Sequence, residues 1–240
     1  MPEVIVYSDA DALAQATAAR LLLSIGDTLA HREVAHVVLT GGTVGIATLE
    51  AAAASPLASA IDWTSVHVWW GDERFVADGD ADRNEGQAQE ALLSRLPLPE
   101  DNIHRMGSST TFATAQEAAE DYVHQIEAAG IPAWDVLMVG LGPDGHVASL
   151  FPGHTGYEDA SQGDAPAIAV HDSPKPPPTR VSLTLDAINR AREVWVIAAG
   201  AAKAEVVAQG VRGDLAIPGG AVRGRESTRW LIDAAAATRI

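Results

Sequence analysis

The sequence of 240 residues contains no cysteine, only two lysines and few aromatic residues. Without cysteine, the chain can form no disulfide and offers no thiolate nucleophile or thiolate metal ligand. It has no apolar run of about 18 residues, so no membrane-spanning helix is expected. The segment 1–7 reads as a first strand and lacks the basic region and long apolar stretch of a secretory signal, which makes the cytoplasm the expected location.

Positive charge is also scarce. Sixteen lysines and arginines stand against 32 acidic residues, which gives a net charge of −16 at pH 7. Nucleic acid and anionic membranes are therefore not expected as partners, because both repel an acidic protein. A local group of cations inside an acidic surface is compatible with this charge. Because Lys175 and Lys203 are the two lysines of the chain, each calls for a specific explanation.

The composition is that of a globular chain, with 47% hydrophobic residues and a mean hydropathy of +0.05. Short apolar runs typical of buried strands alternate with segments of helical periodicity. This alternation predicts a three-layer α/β/α fold with a mostly parallel sheet. We also expect a short strand at residues 102–106 and a helix over residues 112–129.

The composition changes between residues 154 and 178, where glycine, aspartate, serine and proline dominate. The end of this stretch reads Pro174-Lys175-Pro176-Pro177-Pro178. Prolines in such density argue against a core helix or a central strand. We interpret residues 154–180 as a surface excursion or as part of a small subdomain, within a single domain that spans residues 1–240.

A continuous apolar run, Val136 to Val139, predicts a strand buried on both faces of a parallel sheet. The run stops at Gly140, and Gly142-Pro143-Asp144-Gly145 then forces a turn. Asp144 and His146 would follow at the carboxyl end of a central strand, where open α/β sheets bind ligands. The alternative is an ordinary connecting loop in which Asp144 caps a helix.

His146 is the candidate general base of this loop. Its imidazole titrates near neutrality, so it can take a proton from water and return one to a leaving oxygen. Asp144 could orient the ring, although Asp72 and Glu73 are open alternatives for that role. No metal is expected, because the sequence has no H-x-x-x-H motif and no cysteine pair.

A glycine turn at Thr40-Gly41-Gly42-Thr43 lies between a predicted strand and a predicted helix. Glycine there frees backbone N–H groups to converge on an anion at the helix N-terminus, and Thr43 adds a hydroxyl donor. The turn matches neither the dinucleotide fingerprint nor the P-loop. A plain tight turn is the alternative interpretation.

Charged residues also follow the next predicted strand, in Trp69-Trp70-Gly71-Asp72-Glu73-Arg74. Arg74 offers a planar fork that matches a phosphate, and Asp72 or Glu73 could hold that fork or face sugar hydroxyls. A local salt bridge is the alternative. Asn84 is interpreted as a helix start with a possible role in supporting the loop.

Two further cations lie later in the chain. Arg180 follows the proline run, and Lys203 is placed at a predicted helix start. A lysine in the first helical turn opposes the helix dipole, and a bound phosphate would remove that conflict. Ordinary surface cations are the alternative for both.

These segments, in order from Thr40 to about Lys203, resemble the signature of the glucosamine-6-phosphate isomerase/6-phosphogluconolactonase family, and the loop Pro143–Pro152 favours its lactonase branch. The resemblance implies a modified Rossmann-like sheet with a smaller appended subdomain. It implies hydrolysis of 6-phospho-D-glucono-1,5-lactone without a cofactor, and assigns catalytic roles to His146, Asp144 and Asp72. The substrate and its phosphate would be held by Gly41, Gly42, Thr43, Arg74, Arg180 and Lys203.

Two other functions remain open on the sequence alone. One is an amino-sugar-phosphate isomerase/deaminase, which in this family carries a second histidine beside the loop acid. The other is a non-catalytic sugar-phosphate sensor, a class that usually adds a DNA-binding helix-turn-helix and basic charge; a first segment that reads as a strand and an acidic composition argue against it. A monomer is expected, although no sequence feature bears on assembly.

Overall fold

The computed structural model describes residues 2–130, 133–160 and 165–240. Its strands are β1 (Glu3–Tyr7), β2 (Ala35–Leu39), β3 (Val66–Trp70), β4 (Asp72–Arg74), β5 (Val136–Gly140), β6 (Ala167–Val170), β7 (Arg180–Leu183), β8 (Glu193–Ala198) and β9 (Ser227–Asp233). Its helices are α1 (Ala10–Leu29), α2 (Thr43–Ala54), α3 (Asn84–Ala91), α4 (Ala115–Ala128), α5 (Thr155–Ala160), α6 (Leu185–Ile188), α7 (Ala204–Val211) and α8 (Pro218–Ala221). None of these helices has the length and apolar character needed to cross a lipid bilayer.

Six strands form a parallel sheet in the order β1-β9-β8-β5-β2-β3. Strand β5 lies in its middle, paired with β8 on one side and β2 on the other. All four residues from Val136 to Val139 are buried, as expected for a strand covered on both faces. The prediction of a central strand at this position is confirmed.

Helices cover both faces of the sheet, so the predicted three-layer α/β/α architecture is confirmed. One core lies under α1, α2 and α3 and includes Leu13, Leu49, Val37 and Val68. The other lies under α4, α6 and α7. Burial of apolar side chains in these two layers stabilises the fold, at roughly 25 cal/mol for each Å² removed from water.

A second, smaller sheet of three antiparallel strands, in the order β4-β7-β6, is the appended part of the fold. Strand β4 was not predicted from the sequence: Asp72, Glu73 and Arg74 pair with residues 180–182. Strand β6 lies within the segment 154–180, which we interpret as an excursion or part of a subdomain. Residues 161–164 of that segment lie outside the described residues.

Two sequence expectations need correction. Residues 102–106 do not form a strand: a short 3-10 helix (Glu100–Asn102) is followed by a single bridge between Ile103 and Val68. The helix expected over residues 112–129 begins later, at Ala115. Thr114 and Glu117 form a capping box there, which satisfies the first backbone N–H groups and fixes the start.

The carboxyl ends of the central strands gather the segments singled out in the sequence. Thr40–Thr43 follows β2, β4 follows β3, residues 141–146 follow β5, and residues 200–203 follow β8. The β5 and β2 ends are tied directly, because the Gly140 N–H donates to the Thr40 hydroxyl at 3.1 Å. Parallel pairing thus brings residues far apart in sequence to one edge of the sheet.

Candidate active site

A cavity of about 290 Å³ opens at this edge of the sheet. Its walls are polar and come from the loops that follow β2, β3, β5 and β8. Eight of the nine predicted site residues line it: Gly41, Gly42, Thr43, Asp72, Arg74, His146, Arg180 and Lys203. The ninth, Asp144, lies beside His146.

Asp144 holds the imidazole of His146. Its Oδ1 atom lies 2.5 Å from His146 Nδ1, so Nδ1 donates to the carboxylate and Nε2 is the nitrogen that can accept a proton. Burial lowers the pKa of His146, and the hydrogen bond with Asp144 opposes that shift. Burial raises the pKa of Asp144, but the bonds from His146 and Lys175 outweigh it and lower that pKa overall. Of the three carboxylates proposed to orient the ring, Asp144 is the one in contact.

The loop backbone is built closely around this ring. The Gly142 N–H donates to the His146 carbonyl at 2.9 Å, and the Gly145 N–H donates to the Gly142 carbonyl at 3.0 Å. Gly145 has φ +82°, a conformation that favours glycine. The buried Phe151 ring packs 4.6 Å from the imidazole, centroid to centroid. These contacts limit the rotation of His146.

Asp72 lines the same cavity but is held by other partners. Its Oδ2 atom accepts a hydrogen bond from the buried Ser149 hydroxyl at 2.6 Å. Arg180 Nη1 lies 3.8 Å from the same oxygen. The negative charge of Asp72 makes a minor contribution that raises the pKa of His146. A catalytic role for Asp72 stays a prediction.

Arg74 lines the cavity and is anchored by its neighbours. Its Nη1 donates to the Asp82 carbonyl and to Asn84 Oδ1, both at 2.6 Å. Its Nε is buried without a hydrogen-bond partner in the described structure, which carries an energetic cost. Asn84 in turn donates to the Asp72 carbonyl at 2.8 Å, which confirms its role in loop support. A Cβ at Gly41 would lie 2.0 Å from Asn84 Oδ1, so this turn requires glycine.

Glu73 points away from the cavity and braces the loop. Its carboxylate is 1% exposed and accepts three backbone N–H groups between residues 74 and 85. Burial raises the pKa of Glu73 to about 7, opposed by Arg83 and these donors. Glu73 therefore neither orients His146 nor holds the Arg74 fork.

The glycine turn leaves the start of helix α2 without a side-chain cap. Gly42 is the N-cap residue, with φ +79°, and Thr43 is the first residue of the helix. The first N–H groups of an uncapped helix are suited to an anion. Both residues line the cavity, which agrees with the predicted phosphate contact without testing it.

Lys203 reaches the cavity from the β8 side. It is the N-cap residue of α7, after a 3-10 turn, Ala201–Lys203, rather than a residue inside the first helical turn. Its ammonium donates to the Leu141 carbonyl. Burial, and then the like charge of Lys175, lower the pKa of Lys203. A bound anion would favour the charged form.

Arg180 is buried, and most of its donors bind the proline-rich segment. Nε donates to the Pro177 carbonyl at 3.0 Å, and Nη2 donates to the carbonyls of Lys175 and Pro176 at 3.1 Å each. Arg180 lines the cavity, but the phosphate contact expected from the sequence stays a prediction.

Lys175 is the site residue that the sequence reasoning missed. Its ammonium lies 3.2 Å from Asp144 Oδ1 and 3.1 Å from His146 Nδ1. The available signal was the rarity of lysine, since both lysines of this acidic chain lie at the site. Ser149, bonded to Asp72, carried no comparable signal. Among residues 2–130, 133–160 and 165–240, no group of three or more histidines and carboxylates is arranged to hold a metal ion.

Comparison with known proteins places the chain in a family. The model of glucosamine-6-phosphate isomerases/6-phosphogluconolactonase matches residues 8–230. A 6-phosphogluconolactonase of Streptomyces coelicolor is 47% identical over 251 residues, covering 100% of this chain and 95% of the relative. One of Mycobacterium tuberculosis is 40% identical over 244 residues, covering 98% and 97%.

Solved structures agree with this assignment. A 6-phosphogluconolactonase from Trypanosoma brucei superposes with a TM-score of 0.86 at 26% identity, covering 100% of this chain and 99% of that one. A monomeric glucosamine-6-phosphate deaminase, at 15% identity and a TM-score of 0.80 over 99% and 100% of the two chains, shares the fold. The chain belongs to the glucosamine-6-phosphate isomerase/6-phosphogluconolactonase family.

Proposed function

We propose that the chain hydrolyses 6-phospho-D-glucono-1,5-lactone to 6-phospho-D-gluconate, the lactonase step of the oxidative pentose phosphate pathway. The observation that carries this proposal is the Asp144–His146 pair beside a small polar cavity lined by cations. A base of this kind suits attack by water on an ester, and the cations suit the phosphate of the substrate. Relatives of 40–47% identity that match nearly the whole chain are named for this activity.

The cations and the glycine turn would bind the substrate. Lys203, Arg74 and Thr43 hold the phosphate, with Arg180 behind them. Asp72 faces the sugar hydroxyls. The lactone carbonyl then lies close to Nε2 of His146.

The chemical step needs one base and no covalent intermediate, because a lactone is already an activated ester. Nε2 of His146 takes a proton from water while the water oxygen attacks the lactone carbonyl carbon. Backbone N–H groups of the glycine loops stabilise the negative charge that develops on the carbonyl oxygen. The bond from this carbon to the ring oxygen then breaks, and the imidazolium returns its proton to that oxygen. The residues of the chain suffice for these reaction steps without a cofactor.

A coupled assay tests the proposal. Glucose-6-phosphate dehydrogenase generates the lactone in place, and 6-phosphogluconate dehydrogenase reports the product. The assay must be fast, because the lactone also opens spontaneously. We expect clear acceleration by the wild-type chain and a loss of roughly 100- to 10,000-fold in kcat for His146→Asn, with folding retained. His124→Asn, at a histidine whose side chain is 79% exposed, is the matched control. Wild-type turnover in His146→Asn would refute the base assignment.

The same preparations decide between the proposal and its alternatives. Release of ammonia from glucosamine 6-phosphate, without acceleration of lactone opening, would indicate the isomerase/deaminase. Binding of 6-phosphogluconate without any turnover would indicate a sensor.

We also propose that the chain acts as a monomer in the cytoplasm, without nucleic acid. The net charge of −16 supports the absence of a polyanionic partner.

A further inference from the structure

Lys175 makes the closest charged approach to the Asp144–His146 pair. Its ammonium lies 3.2 Å from Asp144 Oδ1 and 3.1 Å from His146 Nδ1, and its side chain is 36% exposed. His146 Nδ1 approaches the same carboxylate oxygen, at 2.5 Å. The ammonium and the ring therefore share one acceptor atom.

The backbone of Lys175 is fixed on both sides. Arg180 donates to the carbonyls of Lys175, Pro176 and Pro177. Ser173 accepts the Lys175 N–H at 3.3 Å and donates its hydroxyl to the Lys175 carbonyl at 3.0 Å. Prolines lose little further freedom when a segment is ordered, since their φ is already fixed. The segment therefore holds the Lys175 side chain beside Asp144 and His146.

The geometry has two consequences for the ring. An ammonium bound to Asp144 holds that carboxylate in position, and the carboxylate in turn orients Nδ1 of His146. The ammonium also lies next to Nδ1, where both groups are donors and cannot bond to each other. A positive charge on the ring would be repelled by the ammonium.

We propose that Lys175 is a positioning residue for the Asp144–His146 pair: its ammonium fixes the carboxylate that orients the ring and holds the imidazole in its neutral, proton-accepting form. A base must be neutral when water arrives, and a weakly basic imidazolium returns its proton readily to the leaving oxygen. The catalytic part of this inference rests on the proposed lactonase function, whereas the effect on the ring does not.

Lys175 and the carboxylates around His146 act on its pKa in opposite directions. Burial is the largest influence and lowers the pKa of His146; Asp144 opposes it, and Lys175 lowers that pKa further. Asp72, from β4, acts weakly in the same sense as Asp144. Removal of Lys175 therefore leaves burial alone to oppose Asp144, and the imidazolium becomes easier to form. The other charged side chains that line the cavity are Arg74, Arg180 and Lys203.

The direct test is an NMR titration of the unliganded protein. The His146 Cε1–H signal is assigned by its loss in His146→Asn. In Lys175→Met, which removes the charge and keeps most of the length, we expect the His146 midpoint to rise by about one pH unit. In Lys175→Arg, which keeps the charge, the His146 midpoint should lie close to the wild-type value. Arg212→Met is the matched control, because it removes one cation at an exposed position outside the cavity.

Kinetics supply the second readout. In Lys175→Met the acid limb of the pH profile of kcat/KM should move to higher pH, in parallel with the titration. A role in loop structure alone would lower turnover by the same factor at every pH and leave the midpoint unchanged. An unchanged His146 midpoint in folded Lys175→Met, or in Lys175→Gln if the first variant does not fold, overturns the inference. Because the titration needs no turnover, a shifted midpoint without lactone hydrolysis would reject the proposed function and retain the role of Lys175.

Discussion

Gly142 is the residue on which the geometry of the base most directly depends. The imidazole of His146 lies against its Cα, so a Cβ there would come within 1.9 Å of Nδ1 and 2.6 Å of Asp144 Oδ1. Real Cβ atoms do not approach other atoms so closely. The glycine is required here by space.

We therefore expect Gly142→Ala to fold and to lose most of its activity. The methyl group displaces the ring from Asp144, and a misplacement of about 1 Å can cost roughly 100-fold in rate. Measurement of kcat/KM together with thermal unfolding checks this. Gly26→Ala is the matched control: Gly26 lies in helix α1 with no atom near its added Cβ, so that change should stabilise the chain by about 0.5–1 kcal/mol. Wild-type turnover in Gly142→Ala would contradict the expectation.

For single residues, the sequence indicates which side chains serve the site better than it indicates which side chains contact one another. His146 and Asp144 were identifiable because an acid and an imidazole follow a buried strand and a glycine turn. Their partner Lys175 was not, because its contact depends on how a segment about 30 residues later folds back. The burial of Glu73 was equally invisible, since three adjacent charged residues give no sign of which one faces the interior.

The proline-rich segment is the element that Arg180 stabilises. Its prolines have no N–H groups to donate, so the segment cannot form a regular strand ladder. The buried guanidinium of Arg180 donates hydrogen bonds to three carbonyls of this segment. A planar fork with five donors can do this, and a single ammonium cannot.

Arg180→Lys should therefore lower the free energy of unfolding of the unliganded protein by about 2–4 kcal/mol, because charge-assisted hydrogen bonds inside the protein are lost. Thermal or urea unfolding measures this. Arg239→Lys, in an ion pair whose partners are 66% and 56% exposed, should have almost no effect. If Arg180 acted only on the phosphate, the unliganded variant would unfold like the wild type and only ligand binding would weaken.

The longer elements were predicted from sequence, and the short ones were missed. Continuous apolar runs of four to six residues identify buried parallel strands. Strand β4 has three residues, too few to show a period, and its partner β7 lies more than 100 residues further along the chain. Residues 102–106 had the composition of a strand, but the backbone makes one bridge to Val68 and then leaves the sheet.

Across the whole molecule, sequence periodicity predicts the layers but not the strand order. The order β1-β9-β8-β5-β2-β3 depends on where each crossover returns, which local patterns do not encode. The placement of the site was predictable, because ligands bind at the carboxyl ends of strands in open α/β sheets. The expectation of a local cationic site within an acidic protein also holds: Lys203 and two arginines line one cavity, and Lys175 lies beside the Asp144–His146 pair.

A cluster of three histidines lies at the other end of the sheet, near the amino ends of β2 and β3. His36 and His67 are directly paired across these strands, and His104 Nε2 lies 2.9 Å from His67 Nδ1. The Trp69 indole N–H donates to His36 at 3.2 Å, and its ring stacks on His104 at 3.7 Å. The three rings pack against one another and against Trp69 and are partly buried, which favours neutral imidazoles.

The sign of the resulting pH dependence follows from the pKa values. Burial, reinforced by the neighbouring imidazoles, lowers the pKa of His36 and of His104 to about 4, and burial lowers that of His67 as well. In the unfolded chain each titrates near 6.5. Between these values the unfolded chain binds more protons than the folded one, so the stabilisation is present above about pH 6.5 and is lost as the pH falls toward 4.

Acidification also relieves repulsion within a chain of net charge −16, which acts in the opposite direction, so the histidine contribution must be isolated by difference. His36→Asn removes one titrating ring and keeps an acceptor for Trp69. Between about pH 7 and pH 5 we expect this variant to lose less free energy of unfolding than the wild type, by about 1–2 kcal/mol after allowance for partial exposure. Urea unfolding at each pH measures the difference.

His124→Asn should follow the wild-type curve, because its histidine is already hydrated. If the free energy of unfolding changed with pH in the same way in His36→Asn and in the wild type, His36 would be protonated as easily in the folded protein as in the unfolded chain. The prediction would then be wrong.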